Sequence, residues 1–296
     1  MFKFGYIGVV GKTNAGKSTL VNALVGEKVS IVSPKKQTTR NNIMGILTKN
    51  NYQLVFVDTP GLHKSKNRLD KYMMKNVRTA ISGVDIILYI VDGTRFNEEE
   101  NKYIKTLTDT APTIVGISKV DAGSYEKIYP IIKSLGENKD IKAIIPFSSY
   151  KNRNLDEVIK EILKILPEQE TKSFEFDEDM YTDKSVRFMT AEIIREKALL
   201  LLNEELPHGI AICVTKFDER KNLVFIDVDI ICERESHKSI IIGKHGSKIK
   251  EIASRARTDI EEMLGKKVML ECFVKVKKNW RDNENEIKDF GYDELN

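Results

Sequence analysis

The stretch GKTNAGKS, Gly11 to Ser18, decides how the first half of the chain is read. It fits the pattern G-x-x-x-x-G-K-[ST] through Gly11, Gly16, Lys17 and Ser18, with Lys12, Thr13, Asn14 and Ala15 at the variable positions. A strand-like run, GYIGVV, leads into it, and a helix-like run, TLVNALVG from Thr19, follows, which is the context the pattern requires. Glycines let the backbone wrap closely, so that its N–H groups point at phosphate oxygens. A helix starting at Lys17 adds its positive dipole end, Lys17 supplies a point charge, and the Ser18 hydroxyl can ligate Mg²⁺. Average glycine usage makes a chance match on the order of one in a hundred for a chain this long, before the flanking strand and helix are counted.

Working outward, short aliphatic runs alternate with helix-period segments as far as Leu166. The strand candidates are Phe4 to Val10, Ile43 to Thr48, Gln53 to Asp58, Ile86 to Asp92, Thr113 to Ser118 and Ala143 to Pro146. Helices are expected at Leu69 to Ile81, Asn97 to Leu107, Tyr125 to Leu135 and Leu155 to Leu166. Continuous Val/Ile runs mark strands buried on both faces. Their alternation with helices predicts an α/β domain, residues 1–166, with a mostly parallel sheet and helices on both faces.

Phosphate loops serve several nucleotides, so the base needs its own evidence. At the end of a strand stands SKVD, Ser118, Lys119, Val120 and Asp121, which resembles the N-K-x-D motif of GTPases. In that motif the carboxylate accepts two hydrogen bonds from guanine N1 and the exocyclic amine, which adenine cannot offer, and the lysine stem lies along the base. Ser118 replaces the usual Asn, whose amide also ties the base loop to the phosphate loop; a shorter hydroxyl is expected to loosen that tie. DTPGLH begins with Asp58, Thr59, Pro60, Gly61 and Leu62 and fits D-x-x-G. Asp58 is expected to hold Mg²⁺ through a water, and the Gly61 amide to meet the γ-phosphate. Losing that phosphate releases the loop, which makes it a switch. Upstream, SPKKQTTR offers Thr39, preferred over Thr38, as the other Mg²⁺-side threonine. Leu62 stands where Ras-like enzymes keep a water-positioning Gln, so intrinsic turnover is expected to be slow. The adjacent His63 reads as polar surface rather than as a base. Ser148 and Ser149 resemble the S-A element whose backbone contacts guanine O6.

At 296 residues two domains are the better prior. PEQETKSFEFDEDMYTDKS, Pro167 to Ser185, is acidic and poor in apolar residues, and reads as a linker. A second domain, 186–296, follows in the order helix, strand, strand, helix, helix, strand, with a C-terminal tail. Within it IIIGKHGSKIKEI, Ile240 to Ile252, fits the G-x-x-G loop of KH domains. Gly243 and Gly246 let the backbone approach nucleotide phosphates, Lys244 and His245 face them, and Lys248 and Lys250 continue the basic face along the next helix. From Ser239 to Arg281 eleven Lys/Arg stand against five Asp/Glu, an excess of +6 in a chain whose net charge is +4. A polyanion is therefore expected at this end. Cys213, Cys232 and Cys272 are isolated among aliphatic residues and read as buried thiols of a reducing compartment. The longest apolar run, Ile86 to Val91, is far short of the roughly 20 residues a membrane span needs. With no signal-peptide pattern in view, the expected location is cytoplasmic.

Nearly the whole chain resembles the Era family of bacterial GTPases with a KH domain. GKTNAGKST, QTTR, DTPGLH, SKVD, SVRFMTAEIIREK, ELPHG, IIGKHGSKIK, VKVKKNW and a terminal GY carry the likeness in that order. The resemblance implies an α/β P-loop GTPase domain followed by an α+β KH domain of type II order. It also implies GTP and GDP as ligands, GTP-dependent binding to the 3′ end of small-subunit ribosomal RNA, and a role in small-subunit assembly. Peripheral contact with the inner face of the cell membrane is implied as well, and a monomer is expected. GTPases resembling this one, with a hydrophobic residue after D-x-x-G, often recruit K⁺ through a phosphate-loop Asn. Asn14 holds that position, and its other reading is a side chain that merely shapes the turn. Two competing functions are an RNA-binding scaffold with a weakly active G domain and a related GTPase acting on another RNA.

Overall fold

The computed structural model describes residues 2–123, 125–203 and 205–292. Two units emerge from the contacts: Met1–Ser30 with Thr39–Lys64 and Met73–Asp183, and Ile31–Thr38 with Ser65–Tyr72 and Lys184–Asn296.

In the first unit the strands are β1 (Phe2–Gly11), β2 (Ile43–Lys49), β3 (Tyr52–Asp58), β4 (Ile86–Asp92), β5 (Thr113–Ser118), β6 (Ile141–Pro146) and the two-residue β7 (Glu168–Gln169). Their order across the sheet is β2-β3-β1-β4-β5-β6, with β7 beside β1. Every neighbouring pair from β3 to β6 is parallel, β2 runs antiparallel to β3, and β7 antiparallel to β1. The helices are α1 (Lys17–Val25), α2 (Arg68–Ser82, of which Met73 onward belongs to this unit), α3 (Glu98–Thr108), α4 (Tyr125–Gly136) and α5 (Leu155–Ile165).

Successive strand side chains point to opposite faces, and β4 shows what that does. Ile86, Leu88 and Ile90 enter one core with Leu20, Val21 and Leu24 of α1 and Val158 and Ile162 of α5. Ile87, Tyr89 and Val91 enter a second core with residues of α2, α3 and α4. Both faces are apolar, so the strand reads as an unbroken hydrophobic run. The one polar atom sent inward is accounted for, because the Tyr89 hydroxyl donates to Glu100 at 3.0 Å. Parallel strands joined by helices place every β-to-α loop at one sheet edge, beyond the strands' carboxyl ends. The loops after β1, β3, β5 and β6 each carry one of the motifs read from the sequence.

The stretch read as a linker is bound to this unit instead. Gln53 accepts from the Glu175 and Phe176 amides at 2.9 and 3.1 Å, Ile46 N–H donates to Tyr181 O at 3.0 Å, and Met44 N–H to Asp183 at 2.9 Å. The bonds from Ile46 and Met44 satisfy backbone N–H groups of β2, an edge strand, while the Gln53 side chain holds the stretch to β3.

The second unit contains α6 (Val186–Leu201), β8 (Ala211–Glu219), β9 (Leu223–Cys232), α7 (Glu235–Ile242), α8 (Ser247–Leu264), β10 (Lys267–Val276) and α9 (Glu284–Asp289). The sheet order is β10-β9-β8, parallel between β10 and β9 and antiparallel between β9 and β8. Val224, Ile226, Val228, Ile230 and Cys232 alternate inward along β9 and meet Ile193, Ile194 and Ala198 of α6 and Ile252, Ala256 and Ile260 of α8. Residues 280–292 are more ordered than the expected tail. Trp280 is fully buried and donates from Nε1 to Gly209 O at 3.0 Å, and α9 is capped by Asn283.

All three cysteines are free thiols, but only Cys232 is buried; Cys213 and Cys272 keep part of their surface exposed because they lie on the outward-facing side or the edge of the sheet. Burial pushes the Cys213 thiol up to about 11 and Cys272 to about 12, so neither is a thiolate near neutral pH. Among the described residues, no helix is long and apolar enough to cross a membrane.

Candidate functional site

The residues Gly11 to Ser18 form the turn between β1 and α1. The Lys17 side chain is buried and its ammonium donates to the Gly11 and Lys12 carbonyls at 3.2 and 3.1 Å. Burial lowers its pKa to about 8, against the upward pull of Asp58. Lys12 reaches outward to Asn97 Oδ1 at 3.0 Å and to Glu100 at 3.2 Å, which ties the loop to α3. Burial raises the Glu100 carboxyl despite that lysine. Nothing in the sequence singled out Glu100, since a carboxylate in a helix's first turn is an ordinary partner of the helix dipole.

Three oxygens converge beside α1. Ser18 Oγ lies 2.6 Å from Asp58 Oδ2 and 2.9 Å from Thr39 Oγ1, and Thr39 Oγ1 lies 3.5 Å from Asp58. Because the one Ser18 proton goes to the carboxylate, Thr39 donates to Ser18. Thr38 is placed otherwise, its hydroxyl donating to Lys35 O at 2.9 Å. Asp58 is fully buried, burial raises its carboxyl even against Lys17 and the Ser18 hydroxyl, and its Oδ1 makes no hydrogen bond among the described residues. A buried carboxylate with an unused oxygen, flanked by two hydroxyls, is a hard-oxygen donor set that suits Mg²⁺. Ser18, Thr39 and Asp58 would hold the ion, which supplies charge neutralisation between phosphates.

The D-x-x-G loop lies directly on the phosphate loop. Thr59 donates to Val9 O at 2.7 Å, and Leu62 N–H to Gly11 O at 3.0 Å. A Cβ on Gly61 would stand 2.5 Å from Thr13 Cα, so only glycine fits the approach. Pro60 and Gly61 are buried. Leu62 packs against the core formed by β4, β5 and α2 to α4, so it presents no polar group to a water. His63 Nδ1 is 2.7 Å from the Gly61 carbonyl.

At the base end, Lys119 Nζ donates to Asn14 O at 2.7 Å and to Asp92 Oδ2 at 2.7 Å. Burial alone would raise Asp92, but hydrogen bonds from Lys119 and Thr94 hold it below the usual carboxylate range. The missed signal for Asp92 is its position: it closes an aliphatic strand at the edge where all the motifs gather. The expectation that Ser118 loosens this loop is corrected by its geometry. Its hydroxyl lies 2.7 Å from Ala15 O and 3.0 Å from Val91 O, so a serine bound directly to the phosphate-loop backbone does the tying. Asp121 is exposed, and a hydrogen bond from Ser148 holds its carboxyl low. Ser148 is buried and Ser149 half-buried in the following turn, closed by paired bonds between Ser148 and Arg153 at 3.1 and 2.9 Å. The residues brought together at this edge are thus Gly11 to Thr19, Thr39, Asp58 to Leu62, Ser118 to Asp121, and Ser148 with Ser149.

In the second unit Gly243 to Gly246 join α7 to α8. Gly243 has φ 73° and ψ 174°, and His245 sits at φ 52°. A Cβ on Gly243 would meet Lys248 Cβ at 2.7 Å, so the glycine is required twice over, by conformation and by space. Lys244, His245 and Lys250 are exposed, and Lys248 pairs with Glu251 at 3.4 Å. Two cationic or polar side chains thus stand on a tight exposed turn at a helix N-terminus, an arrangement that can receive a phosphate.

Comparison with known proteins agrees with both halves. The family described as "50S ribosome-binding GTPase" matches residues 6–119, and the KH domain family matches 205–281. GTPase Era of Clostridium botulinum (strain Okra / Type B1) is 45% identical over 304 residues, covering 100% of both chains. GTPase Era of Clostridium kluyveri is 44% identical and covers 99% of this chain and 100% of the relative. Among solved structures, an Era complex with MgGDPNP and nucleotides 1506–1542 of 16S ribosomal RNA aligns with TM-score 0.93 and 39% identity, covering 99% of each chain. A variant of Aquifex aeolicus Era bound to GDP and aluminium fluoride aligns with TM-score 0.93 and 39% identity over 98% of this chain and 99% of its own. With the SKVD loop, the phosphate loop and the G-x-x-G turn each in place, and full-length identity of this order, the chain belongs to the GTPase Era family.

Proposed function

We propose that this GTPase binds the 3′ end of small-subunit ribosomal RNA through its KH loop and hydrolyses GTP with Mg²⁺ during assembly of the small subunit. The observation that carries the reading is the exposed GKHG turn on a unit whose relative was solved with a 16S fragment. Single-stranded RNA suits such a loop because splayed nucleotides expose both phosphates to the turn and bases to the flanking groove. Lys244 and His245 become the phosphate contacts, with Lys248 and Lys250 behind them. Replacing Lys244 and His245 together by Asp should lower affinity for an oligoribonucleotide of that 3′ end at least tenfold at fixed salt, while GTP hydrolysis by the free protein persists. Equal RNA affinity in the variant would overturn the assignment.

Phosphoryl transfer builds negative charge between the β- and γ-phosphates, and Leu62 supplies nothing to meet it. In this reading K⁺ held by Asn14 fills that gap. Asn14 lies in the turn at φ 63° with its carbonyl engaged by Lys119. Turnover should be faster in K⁺ than in Na⁺ at equal ionic strength, and Asn14→Ala should erase the difference. Identical rates in the two salts for the unaltered protein rule K⁺ out.

The protein acts as a monomer in the cytoplasm, and the family resemblance supports a peripheral contact with the inner face of the cell membrane.

A further inference from the structure

We infer that Arg195, on α6 of the RNA-binding unit, is a positioning residue for Thr39, so that Mg²⁺-dependent GTP hydrolysis depends on that unit. The inference rests on the reading of Thr39 as a group on the Mg²⁺ side. The unit that contains α6 also contains Ile31–Thr38. Arg195 is 1% exposed. Its Nη2 donates to the Thr38 carbonyl at 2.6 Å, and Nε donates to Glu192 Oε1 at 2.7 Å, with a second, close contact from Nη2 to the other Glu192 oxygen.

At the far end of the same segment, Val32 N–H donates to Glu196 Oε1 at 3.0 Å. Consecutive residues of α6 therefore hold residues 31–38 near both ends. Lys197 bonds Glu196 at 3.0 Å and also Asp259, which lies on α8, the helix that leaves the GKHG turn. A continuous run of charged contacts thus leads from the RNA-loop helix to the segment that ends at Thr38.

The bland alternative is an ordinary ion pair one turn apart on a helix. It does not account for the carbonyl. A buried ion pair brings little net stability, since desolvation offsets most of its attraction. Glu192 neutralises the guanidinium, and the remaining directed contact falls on one backbone oxygen. That oxygen belongs to the peptide whose N–H is that of Thr39. Fixing the peptide plane sets where the Thr39 side chain starts, and Thr39 Oγ1 stands 2.9 Å from Ser18.

The test uses the full chain. Hydrolysis is measured against Mg²⁺ at saturating GTP, GDP affinity is measured separately, and thermal unfolding is followed by Trp280 fluorescence, for Arg195→Gln, Arg195→Lys and Thr39→Ala. Arg195→Gln should lower kcat and raise the half-saturating Mg²⁺ concentration, each on the order of tenfold, with GDP affinity unchanged. Arg195→Lys should shift both in the same direction by less, because an ammonium still reaches one oxygen. Should Arg195→Gln not fold, the lysine variant decides alone. A purely structural arginine lowers the unfolding midpoint but leaves the Mg²⁺ requirement and kcat where they were. That result, with Thr39→Ala impaired, overturns the inference and spares the reading of Thr39. An unimpaired Thr39→Ala overturns both. Equal losses in GDP affinity and hydrolysis in Arg195→Gln point to general damage and also overturn the inference.

Discussion

Lys17 shows how one residue can carry a charge into the interior and still be useful. Burial lowers its pKa from 10.5 to about 8. The folded, nucleotide-free chain therefore sheds this proton as pH rises through about 8, whereas the unfolded chain keeps it until about 10.5. Between those values the unfolded state binds more protons, so this group's burial penalty is fully present below about 8 and is relieved as pH climbs toward 10.5. Phosphate beside the ammonium reverses the shift, because an opposite charge favours the protonated form. Binding GDP at about pH 9 should therefore take up close to one proton. Calorimetry in two buffers of different ionisation enthalpy would read it, and Lys17→Met should abolish it. Binding with no linked proton would mean that the ammonium stays charged in the free protein. The Ser118 hydroxyl, 2.7 Å from Ala15 O, marks the limit of sequence here: residue type tells the reach of a side chain, not how near the neighbouring backbone comes.

Among the elements, β1, β3, β4 and β5 were legible because burial on both faces leaves an aliphatic run that no loop imitates. The phosphate loop, the D-x-x-G turn and the base loop were legible for a related reason, since close backbone approach and charge reading admit few residue types. What stayed hidden was held by backbone bonds or buried ion pairs. β7 has two residues, the stretch 170–183 is tied to β2 and β3 largely through main-chain atoms, and α9 presents Ile287 as its one buried residue. Arg195 looks like the polar face of an amphipathic helix until its neighbours are known. The G-x-x-G turn lies between these cases, because its glycines are informative only once the helices on either side are placed. Gly243→Ala tests that element. Its backbone region is nearly closed to L side chains, and the added methyl meets Lys248 at 2.7 Å, so the turn should lose about 1–3 kcal/mol of local stability. RNA affinity should fall at least fivefold with GTP hydrolysis unchanged. Unaltered RNA affinity would show that the turn geometry is not what the RNA reads.

Across the whole molecule charge is unevenly shared. The segment 239–281 carries an excess of +6 while the full chain carries +4, so the remaining residues are net negative. A polyanion is therefore drawn to that basic segment, which carries the GKHG turn and the helix that follows it. Such attraction is salt-dependent in a way that counts contacts. Each phosphate neutralised on a single strand contributes about −0.7 to the slope of log affinity against log salt. Three lysines, Lys244, Lys248 and Lys250, predict a slope of about −2 for an oligoribonucleotide. Lys250→Gln should reduce the magnitude by about 0.7 and weaken all sequences alike, since a phosphate contact carries no base information. Lys248→Gln should change the slope by less, because Glu251 at 3.4 Å already screens that ammonium. GDP affinity, set in the other unit by buried groups such as Lys17 and Asp58, should follow salt only weakly and stay the same in both variants. A slope near zero for RNA, measured across a range of KCl at constant Mg²⁺, would mean that the basic excess is solvated surface and that stacking alone holds the strand.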